Sequence, residues 1–207
     1  MKTYKAWVLD FDGTLTQSWL VRIFMAVWLA SYYFLRPWRL REIFILRDWR
    51  RLREERFCAT EENFYELQLA ELSRRYQMPA HHVEEILRAW LIVRPKKILR
   101  FCVRKKVLAA VKDNQLRGVK MIVYSDNPVR EKLNAIDFKA DASFCADEIR
   151  CMKPDAHGLI KILATLELAP DEVLYIGDRY DRDGLCAKAA GVSYLDVKKF
   201  AARLLQL

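Results

Sequence analysis

Residues 6–15, AWVLDFDGTL, constrain this chain more than any other stretch. Trp7, Val8 and Leu9 make the short apolar run of a strand buried on both faces. Asp10 and Asp12 follow at alternate positions, and Gly13 then breaks the strand. Alternate strand residues share a side, but a turn at Gly13 lets the two acids take separate roles. Carboxylates just past the carboxyl end of a buried strand lie where open α/β sheets bind ligands. Such a pair can hold a hard cation such as Mg²⁺, or divide the work of nucleophile and proton donor. Asp-Gly is also a common turn pair, so the segment alone also reads as a polar exit from the core.

The second half of the chain alternates. Residues 104–116 read as a helix ended by Gly118, 119–124 (VKMIVY) as a strand, and 128–136 as a short helix. A weak strand at 142–145, a helix at 155–168 and a strand at 172–176 follow. A helix at 183–190, a strand at 193–197 and a closing helix complete the pattern. Strands alternating with helices of this length predict a parallel sheet with right-handed crossovers. Three positions stand at the turns. Ser125 ends a buried strand just before a helix-opening Pro, where a hydroxyl and helix N–H groups can seat a phosphate. Lys153 precedes a helix start expected at Pro154. Gly177-Asp178 closes a strand with Asp181 and Asp183 just beyond it, completing an oxygen cage for a cation.

Asp10, Asp12 and Thr14 fill the Asp-x-Asp-x-Thr pattern, so the segment resembles motif one of the haloacid dehalogenase-like (HAD) hydrolase superfamily. Ser125, Lys153 and the Gly177-Asp178…Asp183 spacing resemble motifs two, three and four, in the family's order. The resemblance implies a three-layer, parallel-sheet Rossmann-like α/β core from residues 1–15 and 107–207. It also implies an all-helical cap inserted at 16–106. The implied activity is Mg²⁺-dependent phosphomonoester hydrolysis through an aspartyl-phosphate. Asp10 would be the nucleophile and Asp12 the acid/base. Thr14, Ser125, Asp126 and Lys153 would hold the phosphate. Asp10, the Asp12 backbone carbonyl, Asp178 and Asp183 would hold the metal, with Asp181 a rival to Asp183. Asp126 departs from the small residue or Asn common at its place, which bears on selectivity. Dehalogenases of the family lack the second acid, so Asp12 implies phosphoryl chemistry. A phosphomutase, or a weakly active module that grips a membrane, is the alternative.

The segment between motifs one and two is less readable. Residues 17–106 carry 19 Lys and Arg against 10 Asp and Glu, leaving 17 of each elsewhere, so the whole net charge of +9 lies here. That asymmetry points to an acidic partner. Residues 19–35 are nearly all apolar with Arg22 the only charge, and read as a helix slightly short for a membrane span. Pro37 interrupts it. Thr60 reads as the cap of a helix to about residue 76, and Pro79 starts another that Pro95 should close. Val83, Ile86, Leu87 and Trp90 lie at helical spacing in it, while His81 and His82 read as surface residues. Residues 19–56 hold four of the six tryptophans. Packing of the insert, or peripheral contact with an anionic membrane, would account for that composition. Nucleic acid fits less well, since so much apolar surface has no use there. The substrate is expected to be a phosphorylated small molecule or a lipid-linked phosphate. Five scattered cysteines without a Cys-x-x-Cys pair imply reduced thiols, and no cleavable signal is legible; both suit a cytoplasmic protein.

Overall fold

A computed structural model describes residues 4–55 and 64–205. The expected helix cap at Thr60, and Cys58, lie outside the described residues. The chain opens with β1 (Ala6–Leu9) and passes through α1 (Ser18–Phe34), α2 (Arg41–Glu55) and α3 (Phe64–Tyr76). Then come α4 (Ala80–Arg88), α5 (Arg94–Cys102) and α6 (Lys105–Leu116). From there strands and helices alternate: β2 (Lys120–Ser125), α7 (Arg130–Ala135), β3 (Ala142–Cys145), α8 (Ala146–Ile149) and α9 (His157–Thr165). The chain ends with β4 (Val173–Gly177), α10 (Leu185–Ala189), β5 (Ser193–Asp196) and α11 (Val197–Arg203).

The five strands form one parallel sheet in the order β3-β2-β1-β4-β5, with β1 at its centre. Val8 lies opposite Ile122 on one side and Tyr175 on the other. Because side chains alternate along a strand, the sheet feeds two separate cores. Leu9, Val123 and Ile176 pack with Val107 and Val111 of α6 and Phe200 of α11. Val8, Ile122 and Tyr175 pack on the other face with Leu159 and Ile162 of α9 and Ala187 of α10. Helices on both faces explain why β1 is apolar without alternation.

The secondary structure described between β1 and β2 is helical apart from one bridge, Thr16 to Val103, and α1–α5 have a core of their own. Tyr33, Ile45, Trp49, Leu72 and the expected Val83, Ile86, Leu87 and Trp90 are all buried in it. His81 is exposed, whereas His82 is partly buried beside Glu85. Pro95 does not end a helix, contrary to the sequence reading. A proline lacks a donor and crowds the carbonyl four residues back. Here the wider π-helical turn Ala89–Val93 opens the backbone, and the helix continues as α5. The helix expected to start at Pro154 begins only at His157, and that expected at 183 is preceded by a second π-helical turn, Tyr180–Gly184. The two connections to the insert run side by side. Thr16 bridges Val103, Gln17 N–H donates to Cys102 at 2.7 Å, and Arg104 N–H to Leu15 at 2.9 Å. From α2, Arg53 reaches over the sheet end to the Asp147 carboxylate at 2.8 Å and to the Asp126 carbonyl.

Candidate active site

The carboxyl ends of β1, β2 and β4 bring the candidate side chains together. Asp10, immediately after β1, is buried. Its Oδ1 accepts from Lys153 Nζ at 2.8 Å, and its Oδ2 accepts from the Thr14 hydroxyl at 3.2 Å. Lys153 is buried as well and donates also to Asp183 Oδ1 at 2.7 Å. Asp183 further accepts from the Tyr175 hydroxyl and the Arg179 N–H, each at 3.2 Å. Asp181, its rival by spacing, is exposed and pairs with Arg179 at 2.6 Å. The first turn of the π-helical segment thus turns Asp183 inward and Asp181 out.

Asp10, Asp178 and Asp183 each present an oxygen within 4.8 Å of the other two. Gly13 makes this approach possible. Its φ of 109° is the left-handed region, and a Cβ there would stand 2.0 Å from Asp178 Oδ2. Three acids gather around one lysine, and the carboxyls of Asp10 and Asp178 show the imbalance. Burial pushes the Asp10 carboxyl well above the ordinary carboxylate value; Lys153 opposes this, while Asp183 and Asp178 add to it. Burial, then Asp183, lifts Asp178 to about 6. Burial works against the Lys153 ammonium, but Asp10 and Asp183 outweigh it and hold its pKa above the usual lysine value. A hard dication seated among the three acids would relieve their repulsion, and carboxylate oxygens are the hard donors that Mg²⁺ takes together with water and phosphate. The Asp12 carboxylate does not belong to this cluster.

Asp12 is partly exposed and accepts from Lys132 Nζ at 2.8 Å. Lys132 sits on α7, buried, with its ammonium 5.5 Å from the Phe11 ring. The Ser125 oxygen accepts from Asn127 N–H at 3.2 Å, which leaves the hydroxyl proton for a ligand. The Asp126 carboxylate is partly buried in the cavity wall, where it accepts from Lys153 N–H at 3.3 Å and pairs with Arg182 at 3.3 Å. It therefore holds the Lys153 loop. Lys132 and Arg182 had no signal in the sequence, because charged residues at a helix start or turn are ordinary. Arg22 had one, as the single charge in a long apolar run.

Asp10, Asp12, Ser125, Lys153 and Asp178 line one cavity of about 250 Å³, and Arg22 stands in its wall. A second cavity of about 310 Å³ shares Arg22, Asp126 and Arg182 with it and is walled by Trp49 and Leu91 of the insert. The arrangement offers a buried carboxylate, a second acid, a hydroxyl, an ammonium and a place for a dication around one space.

A family model described as haloacid dehalogenase-like hydrolase matches residues 4–191. No curated relative matches the chain. Among solved structures, a magnesium-bound HAD-hydrolase, YfnB from Bacillus subtilis, is similar with a TM-score of 0.61 at 13% identity, over 93% of this chain and 88% of that one. A predicted phosphoglycolate phosphatase from Haemophilus somnus gives 0.58 at 16%, over 94% and 85%. The L-2-haloacid dehalogenase of Xanthobacter autotrophicus gives 0.58 at 18%, over 99% and 83%. At such identities the likeness speaks for the fold.

Proposed function

Since the chain belongs to the haloacid dehalogenase-like hydrolases, we propose that it hydrolyses phosphomonoesters with the help of Mg²⁺. The observation that carries this reading is the pairing of buried Asp10 with a second acid, Asp12, at the mouth of one cavity. Asp10 attacks phosphorus and forms an aspartyl-phosphate. Asp12 protonates the leaving oxygen and then takes a proton from the attacking water. Lys132 donates to the Asp12 carboxylate and keeps it aimed at the cavity. Lys153 offsets charge that develops on the phosphoryl oxygens and already lies against Asp10. Ser125 donates its hydroxyl proton to the phosphoryl group, and Thr14 fixes the rotamer of Asp10. Asp10, Asp178 and Asp183 would hold Mg²⁺, which when bound supplies electrostatic stabilisation of the transferring group.

Residues 16–106 act as a cap, closing the cavity over the substrate through Arg53 and the wall formed by Trp49 and Leu91. The substrate is a phosphorylated small molecule or a lipid-linked phosphate, and the work is cytoplasmic. Hydrolysis of a generic aryl phosphate tests the reading. Turnover should require Mg²⁺, stop with EDTA and return when Mg²⁺ is restored. Full turnover after exhaustive chelation, or none with any divalent cation, would overturn it.

A further inference from the structure

Helix α1 is apolar nearly all round, yet only one side of it is buried. At about 100° per residue, Trp19, Ile23, Val27, Ala30 and Phe34 project over an arc of roughly 80°. All five are exposed, Val27 at 66% and Phe34 at 85%. The opposite side carries Met25, Trp28, Leu29 and Tyr33 into the insert's core, and Ser18, Val21 and Arg22 into the wall of the active-site cavity. Exposed apolar side chains continue beyond the helix end, across a bend of 116° into α2: Leu35, Trp38, Leu40, Ile43 and Phe44. Trp38 is 74% exposed. So many exposed apolar side chains along one side of α1 and on into α2 point to an interaction site.

The charges decide what kind. Between residues 18 and 53 there are eight arginines, no lysine and two acids. Both acids point inward. Glu42 accepts from the Tyr33 hydroxyl at 3.0 Å and from Arg39. Asp48 accepts from Arg47 and Arg75 at 3.0 Å and from the Tyr76 hydroxyl at 2.8 Å. Each is no more than 5% exposed. The outer surface of this stretch therefore shows apolar and arginine side chains, Arg36 and Arg41 among them, with Ser31 but no acid. Tryptophan, aliphatic and arginine side chains on one face, without exposed acid, suit the boundary between acyl chains and anionic headgroups. No single described helix is long and apolar enough to cross a bilayer, and α1 and α2, which have the length and composition only together, meet at 116°.

We infer that the exposed face of α1 and the first turns of α2 dock on the surface of an anionic lipid bilayer, with α1 lying in the plane of the interface. This contact is independent of the hydrolytic reading and stands or falls separately from it. The full chain is sedimented with vesicles of phosphatidylcholine alone and of phosphatidylcholine mixed with phosphatidylglycerol. At low salt the protein should pellet with the anionic vesicles, and less as salt rises. The Val27→Asp/Phe34→Ser double variant should stay in the supernatant with its far-UV circular dichroism unchanged, since both residues are exposed. Arg36→Gln and Arg41→Gln should each weaken partitioning roughly fivefold, the share of one basic group near an anionic surface. Failure of the folded wild type to pellet would overturn the inference, as would undiminished pelleting of the double variant. A wild-type dimer that the double variant dissolves, with no vesicle binding, would assign the face to a second copy instead.

Discussion

The carboxyl end of the sheet and the insert's helices α2 and α3 both bury carboxylates, and they treat them in opposite ways. Around Asp10, Asp178 and Asp183 the Lys153 ammonium donates to only two of the three acids, and burial and repulsion from Asp183 raise Asp178 to about 6. Around Asp48, one acid receives two guanidinium groups and a tyrosine hydroxyl. Burial works to raise the Asp48 pKa, but those donors outweigh it and hold the group below its ordinary value. Glu42 is likewise met by a hydroxyl and a guanidinium. Burial of an acid is thus no mark of a working site. What differs is the balance of donors: the sheet end is left short of positive charge, and the insert is supplied in full.

Substitutions can break this contrast. Asp10→Asn should bring turnover to background while the fold persists, because an amide cannot serve as the nucleophile; a single-turnover assay on an aryl phosphate measures it. Asp12→Asn should slow kcat by about 10²–10⁴, the usual share of a placed acid/base group. Asp178→Asn should raise the Mg²⁺ concentration for half-maximal turnover by at least about tenfold, the lower end even for groups one step removed from a metal. Without Mg²⁺ the same change should leave Tm equal or higher, since it removes repulsion; a lowered Tm would refute the claimed shortage of positive charge. Asp48→Asn should do the reverse, keeping kcat and costing about 1–3 kcal/mol of stability in urea titrations through weakened charged hydrogen bonds. Smallest of all, Trp38→Ala should change stability by no more than about 0.5 kcal/mol, because its ring is already in solvent.

The sheet and its candidate residues were legible because two local signals coincide there. Unbroken apolar runs fix buried strands, and Asp10, Ser125, Lys153 and Asp178 follow strand ends or turns with distinctive neighbours. The insert was harder to read. A run such as residues 19–35 is apolar at almost every position, so its periodicity cannot say which side is covered. Only the packing of α1 on its neighbours separates Trp28, half-buried beneath Lys97, from Trp19 in solvent. Pro95 misled for a related reason: whether a proline ends a helix depends on whether the preceding turn can widen, and Ala89–Val93 does. Lys132 was invisible because its partner, Asp12, lies far away in sequence.

The central place of β1 has a consequence for how the chain is made. Ala6 pairs with Lys120 and Val173, so β1 leaves the ribosome with no partner in its sheet until the whole insert and α6 have followed it. During that interval α1–α5 are complete and can gather around Trp49 and Trp90 on their own. Contacts between distant parts of a sequence form slowly, because the intervening loop must first be closed. A folded insert shortens that loop, since the hydrogen bonds of Leu15 and Gln17 with Arg104 and Cys102 hold its two ends together. The insert that covers the mature cavity would then also be the scaffold that brings β1 to its partners during synthesis.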